Sequence, residues 1–78
     1  MTIRGIRGAI TVDLNDPEEI VSASKELLQA IVNRNPSLNV DDLASVWFTS
    51  TRDLNTAYPA RAAREMGWVD LPMMCVQE

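Results

Sequence analysis

Apolar and polar positions alternate from the start of the chain, Ile3-Arg4-Gly5-Ile6-Arg7-Gly8-Ala9-Ile10-Thr11-Val12, and the pattern predicts a first strand. Strand geometry puts Ile3, Gly5, Arg7, Ala9 and Thr11 on one face and Arg4, Ile6, Gly8, Ile10 and Val12 on the other. Two glycines weaken a strand and leave room for a ligand or a second backbone. Arg7 then reads as a cation at the floor of a shallow cavity, beside the plainer reading of a strand-end arginine reaching for water.

The period changes after a polar break at Asp13 to Asn15. Asp16 can cap, Pro17 fits a first helical turn, and Glu18 and Glu19 complement the positive helix end. Ile20, Ala23, Leu27 and Ile31 form a stripe at helical spacing, widened by Val21, Leu28 and Val32. Glu19, Lys25, Glu26 and Gln29 are left toward solvent. Pro36 requires the helix to stop near 33–35. Turn signals fill 37–43, with one short helical turn expected at 41–43.

Residues 44–51 read as a second strand, with Val46 and Phe48 pointing one way and Ser45, Trp47 and Thr49 the other. Pro59 to Met66 read as a short helix stopped by Gly67. Residues 71–78, Leu-Pro-Met-Met-Cys-Val-Gln-Glu, form a third strand, its start at a sheet edge or strand end because of Pro72. The order strand, long helix, strand, short helix, strand is an α/β arrangement. Two helices cover one face of such a sheet, yet the strands carry apolar groups on both. The uncovered face therefore calls for a partner, most simply further copies of the chain.

Composition narrows the chemistry. Seventy-eight residues make one domain at most, with a marginal core of its own. No histidine is present and Cys75 is the only cysteine, which removes zinc clusters, histidine triads and a disulfide framework. Lone cysteine usage fits a reducing compartment, and the cytoplasm is expected. No apolar run is long enough to span a membrane. A net charge of −4 and few aromatics argue against nucleic acid. Six of the seven basic residues are arginines, which suits planar recognition of carboxylates.

Three segments then carry a resemblance. Ile3-Arg4-Gly5-Ile6-Arg7-Gly8-Ala9, the run Thr51 to Leu54 with Tyr58-Pro59-Ala60-Arg61-Ala62-Ala63-Arg64-Glu65, and Gly67-Trp68, Pro72 and Cys75-Val76-Gln77-Glu78 together resemble the AroH-type, trimeric α/β class of monofunctional chorismate mutases. The resemblance implies a single chorismate mutase-like domain over 1–78. Its sheet would be mixed, with the long and short helices on one face, and it would oligomerise through the sheets into a homotrimer with sites at subunit interfaces.

It also implies rearrangement of chorismate to prephenate, on the route to phenylalanine and tyrosine, with no cofactor and no metal. No proton need move in that reaction, so the missing histidine is no handicap. Orientation of a flexible dianion and charge complementary to the transition state are what is required.

By resemblance Arg7 holds a substrate carboxylate near the breaking ether bond, and Glu78 accepts a hydrogen bond from the ring hydroxyl. Met73, Met74, Cys75, Val76 and Gln77 line the pocket with Glu78, and Tyr58, Ala60, Arg61 and Arg64 form a facing wall from another subunit. Tyrosine and arginine stand at 58 and 61, where the family often has phenylalanine and lysine. Strict alternation puts Cys75 and Glu78 on opposite faces, so both reach one site only through a bend or bulge. The family continues beyond the position of Glu78 with strands bearing a second arginine and a tyrosine, so the resemblance implies a domain incomplete at its C-terminus and impaired alone. The alternative is a non-enzymatic trimeric module of the same fold that binds a small carboxylate; a purely structural oligomerisation fragment is a third.

Overall fold

Helix α1, Pro17–Arg34, begins as its sequence dictates. The structure, a computed structural model, describes residues 5–78. Asp16 is extended, and its carboxylate accepts a hydrogen bond from the Glu19 amide at 3.2 Å, while Pro17 occupies the first turn. At the far end Asn35 donates its backbone N–H to Val32 and its side-chain amide to the Ile31 carbonyl at 2.7 Å, closing the helix before Pro36. A 3₁₀ turn, Val40–Asp42, follows, capped by Asn39.

Strand β1, Val46–Ser50, helix α2, Ala60–Glu65, and strand β2, Met73–Gln77, form a parallel β–α–β unit. The register pairs Val46 with Met73, Trp47 with Met74, Phe48 with Cys75, Thr49 with Val76 and Ser50 with Gln77. Pro72 lies just before β2, where its missing N–H costs nothing and its carbonyl accepts from Val46 at 2.9 Å.

Helix α2 ends in a Schellman arrangement: Trp68 donates its backbone N–H to Ala63 and Gly67 donates to Arg64, both at 3.0 Å. Gly67 has φ +91°, the left-handed value this cap needs. The turn drives Trp68 into the core, among Val21, Leu28, Phe48, Ala60, Ala62 and Ala63.

Both helices cover one face of the strand pair, as the α/β reading requires. Phe48 is buried on that face, and Val46, Met73 and Cys75 pack against the core there. On the opposite face Trp47, Met74 and Val76 are exposed. That open apolar face is the uncovered one the sequence predicted.

Four expectations are corrected. Residues 5–12 are not a strand: they run as irregular backbone, and the Ile3–Arg4 part of the proposed strand lies outside the described residues. A strand exists only where an edge pairs with it, and among the described residues the sheet is β1 with β2 alone. Those two strands pair in parallel. The segment lies instead along α1, so close that a Cβ on Gly8 would stand 2.9 Å from Leu27 Cδ1.

The second and third strands are shorter than predicted, because pairing covers only 46–50 and 73–77. The buried line of α1 is Ile20, Val21, Ser24 and Leu28: Ile20, Val21 and Leu28 belong to the predicted stripe, and Ser24 joins them where Ala23 and Leu27 were expected. Ser24 is tolerated because its hydroxyl donates to the Ile20 carbonyl at 2.7 Å, and its small volume suits the close approach of alanine-rich α2. Leu27 and Ile31, predicted as core, face the N-terminal segment. Lys25, expected in solvent, is half-buried and reaches α2.

Candidate active site

Parallel strands end on the same side, and the crevice beyond their carboxyl ends is where open α/β sheets bind ligands. A cleft of about 170 Å³ lies there. One wall is the end of β2, Cys75, Val76 and Gln77; the other is the loop after β1, with Ser50, Thr51, Arg52, Leu54, Asn55, Ala57 and Tyr58. Arg52 is the one cation lining it among the described residues, and the Tyr58 ring is 74% exposed at its rim.

Four predicted site residues thus meet in one cleft: Tyr58, Cys75, Val76 and Gln77. Glu78 continues the β2 edge. Its N–H donates to the Ser50 carbonyl at 2.9 Å, and its carboxylate accepts from the Thr49 hydroxyl at 3.1 Å. Thr49 is on the open face, so the Glu78 carboxylate is held on that side while Cys75 sits half-buried on the helix side. No bulge relieves the alternation. Met73 faces the helices, and Met74 lies beside Trp47 on the open face.

The other predicted residues lie elsewhere in the chain. Arg7 is exposed and lines a separate hollow of about 290 Å³, with Glu26, Leu27, Arg34 and Asn35. Ala60 is buried, its methyl group in the core rather than in a cleft. Arg61 donates from Nε to Glu65 Oε2 at 2.7 Å, and Lys25 donates to Glu65 Oε1 at 2.9 Å. These donors, Lys25 before Arg61, hold the Glu65 carboxyl below its ordinary range. Arg64 is exposed on the same short helix and makes no ion pair among the described residues. Among those residues no group of three or more histidine, cysteine or acidic side chains is placed to hold a metal.

Ser50, Thr51, Arg52, Leu54 and Asn55 were not assigned to the site from the sequence. The available signal was topological: once 46–50 and 73–77 are read as parallel, the loop after the first strand must border the strand-end crevice.

A parallel β–α–β unit backed by a long helix, with a ligand-sized cleft at its strand ends, defines a small α/β protein. Comparison with known proteins narrows the class. Residues 3–78 match the family described as chorismate mutase type I. The chorismate mutase AroH of Thermus thermophilus is 45% identical over 76 residues, covering 97% of this chain and 62% of that protein. The chorismate mutase AroH of Bacillus subtilis is 42% identical over 79 residues, covering 100% of this chain and 61% of that protein. A solved chorismate mutase from Clostridium thermocellum superimposes with a TM-score of 0.83 at 44% identity, covering 87% of this chain and 60% of that one.

The chain belongs to the chorismate mutase type I family, and it spans about three-fifths of the length of these curated relatives. Among the described residues no helix is long and apolar enough to cross a membrane.

Proposed function

We propose that the protein rearranges chorismate to prephenate, as a cytoplasmic enzyme of aromatic amino-acid biosynthesis that needs no cofactor. The observation that carries this reading is the family match along residues 3–78, which includes every segment bearing a proposed site residue.

In this reaction the ether C–O bond breaks as a new C–C bond forms, and negative charge grows on the ether oxygen. Nothing is protonated, so the side chains act by orientation and charge. Arg7 holds a substrate carboxylate. Glu78, steadied by the Thr49 hydroxyl, accepts from the ring hydroxyl. The β2 end, Met73 to Gln77, forms one wall and lines it through its backbone. Tyr58, Arg61 and Arg64 supply the facing wall from a neighbouring copy, backed by the buried Ala60.

The site is shared between copies in a homotrimer of one domain per chain. Two observations support this arrangement. Arg7 and Tyr58 line different hollows within one chain, so a site that holds both draws them from different copies. The open face of the strand pair carries Trp47, Met74 and Val76 in solvent.

The test is chromatographic separation of chorismate and prephenate after incubation with the whole protein, with Arg7→Ala and Glu78→Gln as variants. A charge-assisted hydrogen bond contributes about 1.5–3 kcal/mol, so loss of Arg7 should lower kcat/KM by roughly 10- to 150-fold. A folded protein that binds small carboxylates but forms no prephenate would replace the enzyme with the binding module. Unchanged kcat/KM in Arg7→Ala would remove Arg7 from the site.

A further inference from the structure

One side chain outside the cleft ties down the loop that walls it. Asn15 stands immediately before Asp16, the capping residue of α1, and so at the end of an 18-residue helix. Its amide nitrogen donates to Asn55 Oδ1 at 2.8 Å. Its Oδ1 accepts from the backbone N–H of Asn55 at 3.0 Å, the backbone N–H of Thr56 at 3.2 Å and the Thr56 hydroxyl at 3.0 Å. Among the described residues those two backbone N–H groups have no other partner, and both residues are exposed. Without Asn15 water would be their only alternative, and the loop would lose these hydrogen bonds to the start of the long helix.

That loop places Arg52, Leu54, Asn55 and Tyr58 on the cleft wall opposite Cys75 to Gln77. We propose that Asn15 is a positioning residue for the cleft: it fixes the 51–58 loop so that Arg52 and Tyr58 present a preformed cation and ring to an anionic ligand. The proposal rests on the reading of this cleft as part of the substrate site. Asparagine suits the task because it both donates and accepts. Aspartate would keep the acceptor that serves three donors and, once the Asn55 amide turns over to donate, the fourth bond as well, whereas alanine removes all four.

Amide exchange followed by NMR, together with steady-state kinetics, tests the inference on Asn15→Ala and Asn15→Asp. In Asn15→Ala the Asn55 and Thr56 amides should exchange about tenfold faster or more, with other amides unchanged. KM for chorismate should rise about five- to tenfold with kcat within about twofold, because a binding wall is loosened and no reacting group is lost. Asn15→Asp should restore both, which a general loss of stability would not allow.

Unchanged exchange in Asn15→Ala, or unchanged KM despite faster exchange, would overturn the proposal. A protein with no turnover at all would instead end the chorismate reading. Titration with malate, followed through the amide shifts of residues 50–55 and 75–77, then replaces KM. Weaker malate binding in Asn15→Ala supports the clasp, and identical binding in both proteins refutes it.

Discussion

Phe48 and Trp47 are neighbours on β1 with opposite surroundings, and replacing each by alanine separates the two faces of the strand pair. Phe48 is buried against the helices and the Trp68 ring belongs to the same core. Removing a buried phenylalanine costs about 3–5 kcal/mol. At roughly 0.05–0.15 kcal/mol per residue, a chain of 78 residues has about 4–12 kcal/mol in all, so Phe48→Ala should remove a large share of it at low and high protein concentration alike. Trp47 is 63% exposed within one chain. Taking about 200 Å² for a tryptophan, some 130 Å² of it stays in water unless another copy covers it, worth roughly 3 kcal/mol at 25 cal/mol per Å². That part should register as lost oligomer stability.

Urea unfolding of wild type, Phe48→Ala and Trp47→Ala at two protein concentrations a hundredfold apart resolves the two cases. The Trp47→Ala deficit should depend on concentration, as mass action requires. A Trp47→Ala deficit identical at both concentrations would refute coverage of the open face by copies. A Phe48→Ala cost smaller than that of Trp47→Ala would refute the assignment of faces.

Three further outcomes follow from particular contacts. Glu65 is lowered by Lys25 and Arg61 from its ordinary value of about 4.5, so its contribution is present above that value and is lost as pH falls below it through the folded value. The stability gap between wild type and Glu65→Gln, measured by denaturant titration across pH, should be constant above about pH 5.5 and close on further acidification. Gly67→Ala puts a Cβ on a residue at φ +91° with nothing within 4 Å of it, so the expected loss of about 1–2 kcal/mol in thermal unfolding is backbone strain alone. Gly8→Ala meets only the flexible tips of Leu27 and Ile31 and should cost less than about 1 kcal/mol, whereas a bulkier Gly8→Phe should strip the N-terminal segment from α1 and speed its proteolysis.

Elements whose signals are local were legible in the sequence. Asp16-Pro17 and Pro36 bounded α1, and Gly67 ended α2, because caps and breakers act within one turn. The side of β1 that would be buried was also legible, from Val46 and Phe48 against Trp47. Two things were not. The buried line of α1 depends on its partner: Val21 and Leu28 share a core with the small alanines of α2, and a polar Ser24 hides that face from a hydrophobicity count. The first ten residues alternate like a strand, but alternation specifies a face and not the edge that must pair with it. As for the site, the β2 end and Tyr58 were named from family resemblance. Arg52 and Asn55 enter the site by facing the end of β2, and the Asn15 clasp spans about 40 residues; no local pattern carries either contact.

The central claim is that a working site joins Arg7 of one copy to the Tyr58–Arg64 wall of another. It is tested most directly by mixing two impaired variants of the whole protein, Arg7→Ala and Arg64→Ala, unfolding them together and refolding. If sites lie between copies, random assembly gives an intact pair at about a quarter of interfaces, and chorismate turnover should return to about that fraction of wild type while each variant refolded alone stays well below it. If the refolded mixture is no more active than its components, the two arginines act within one copy and the shared-site account is wrong.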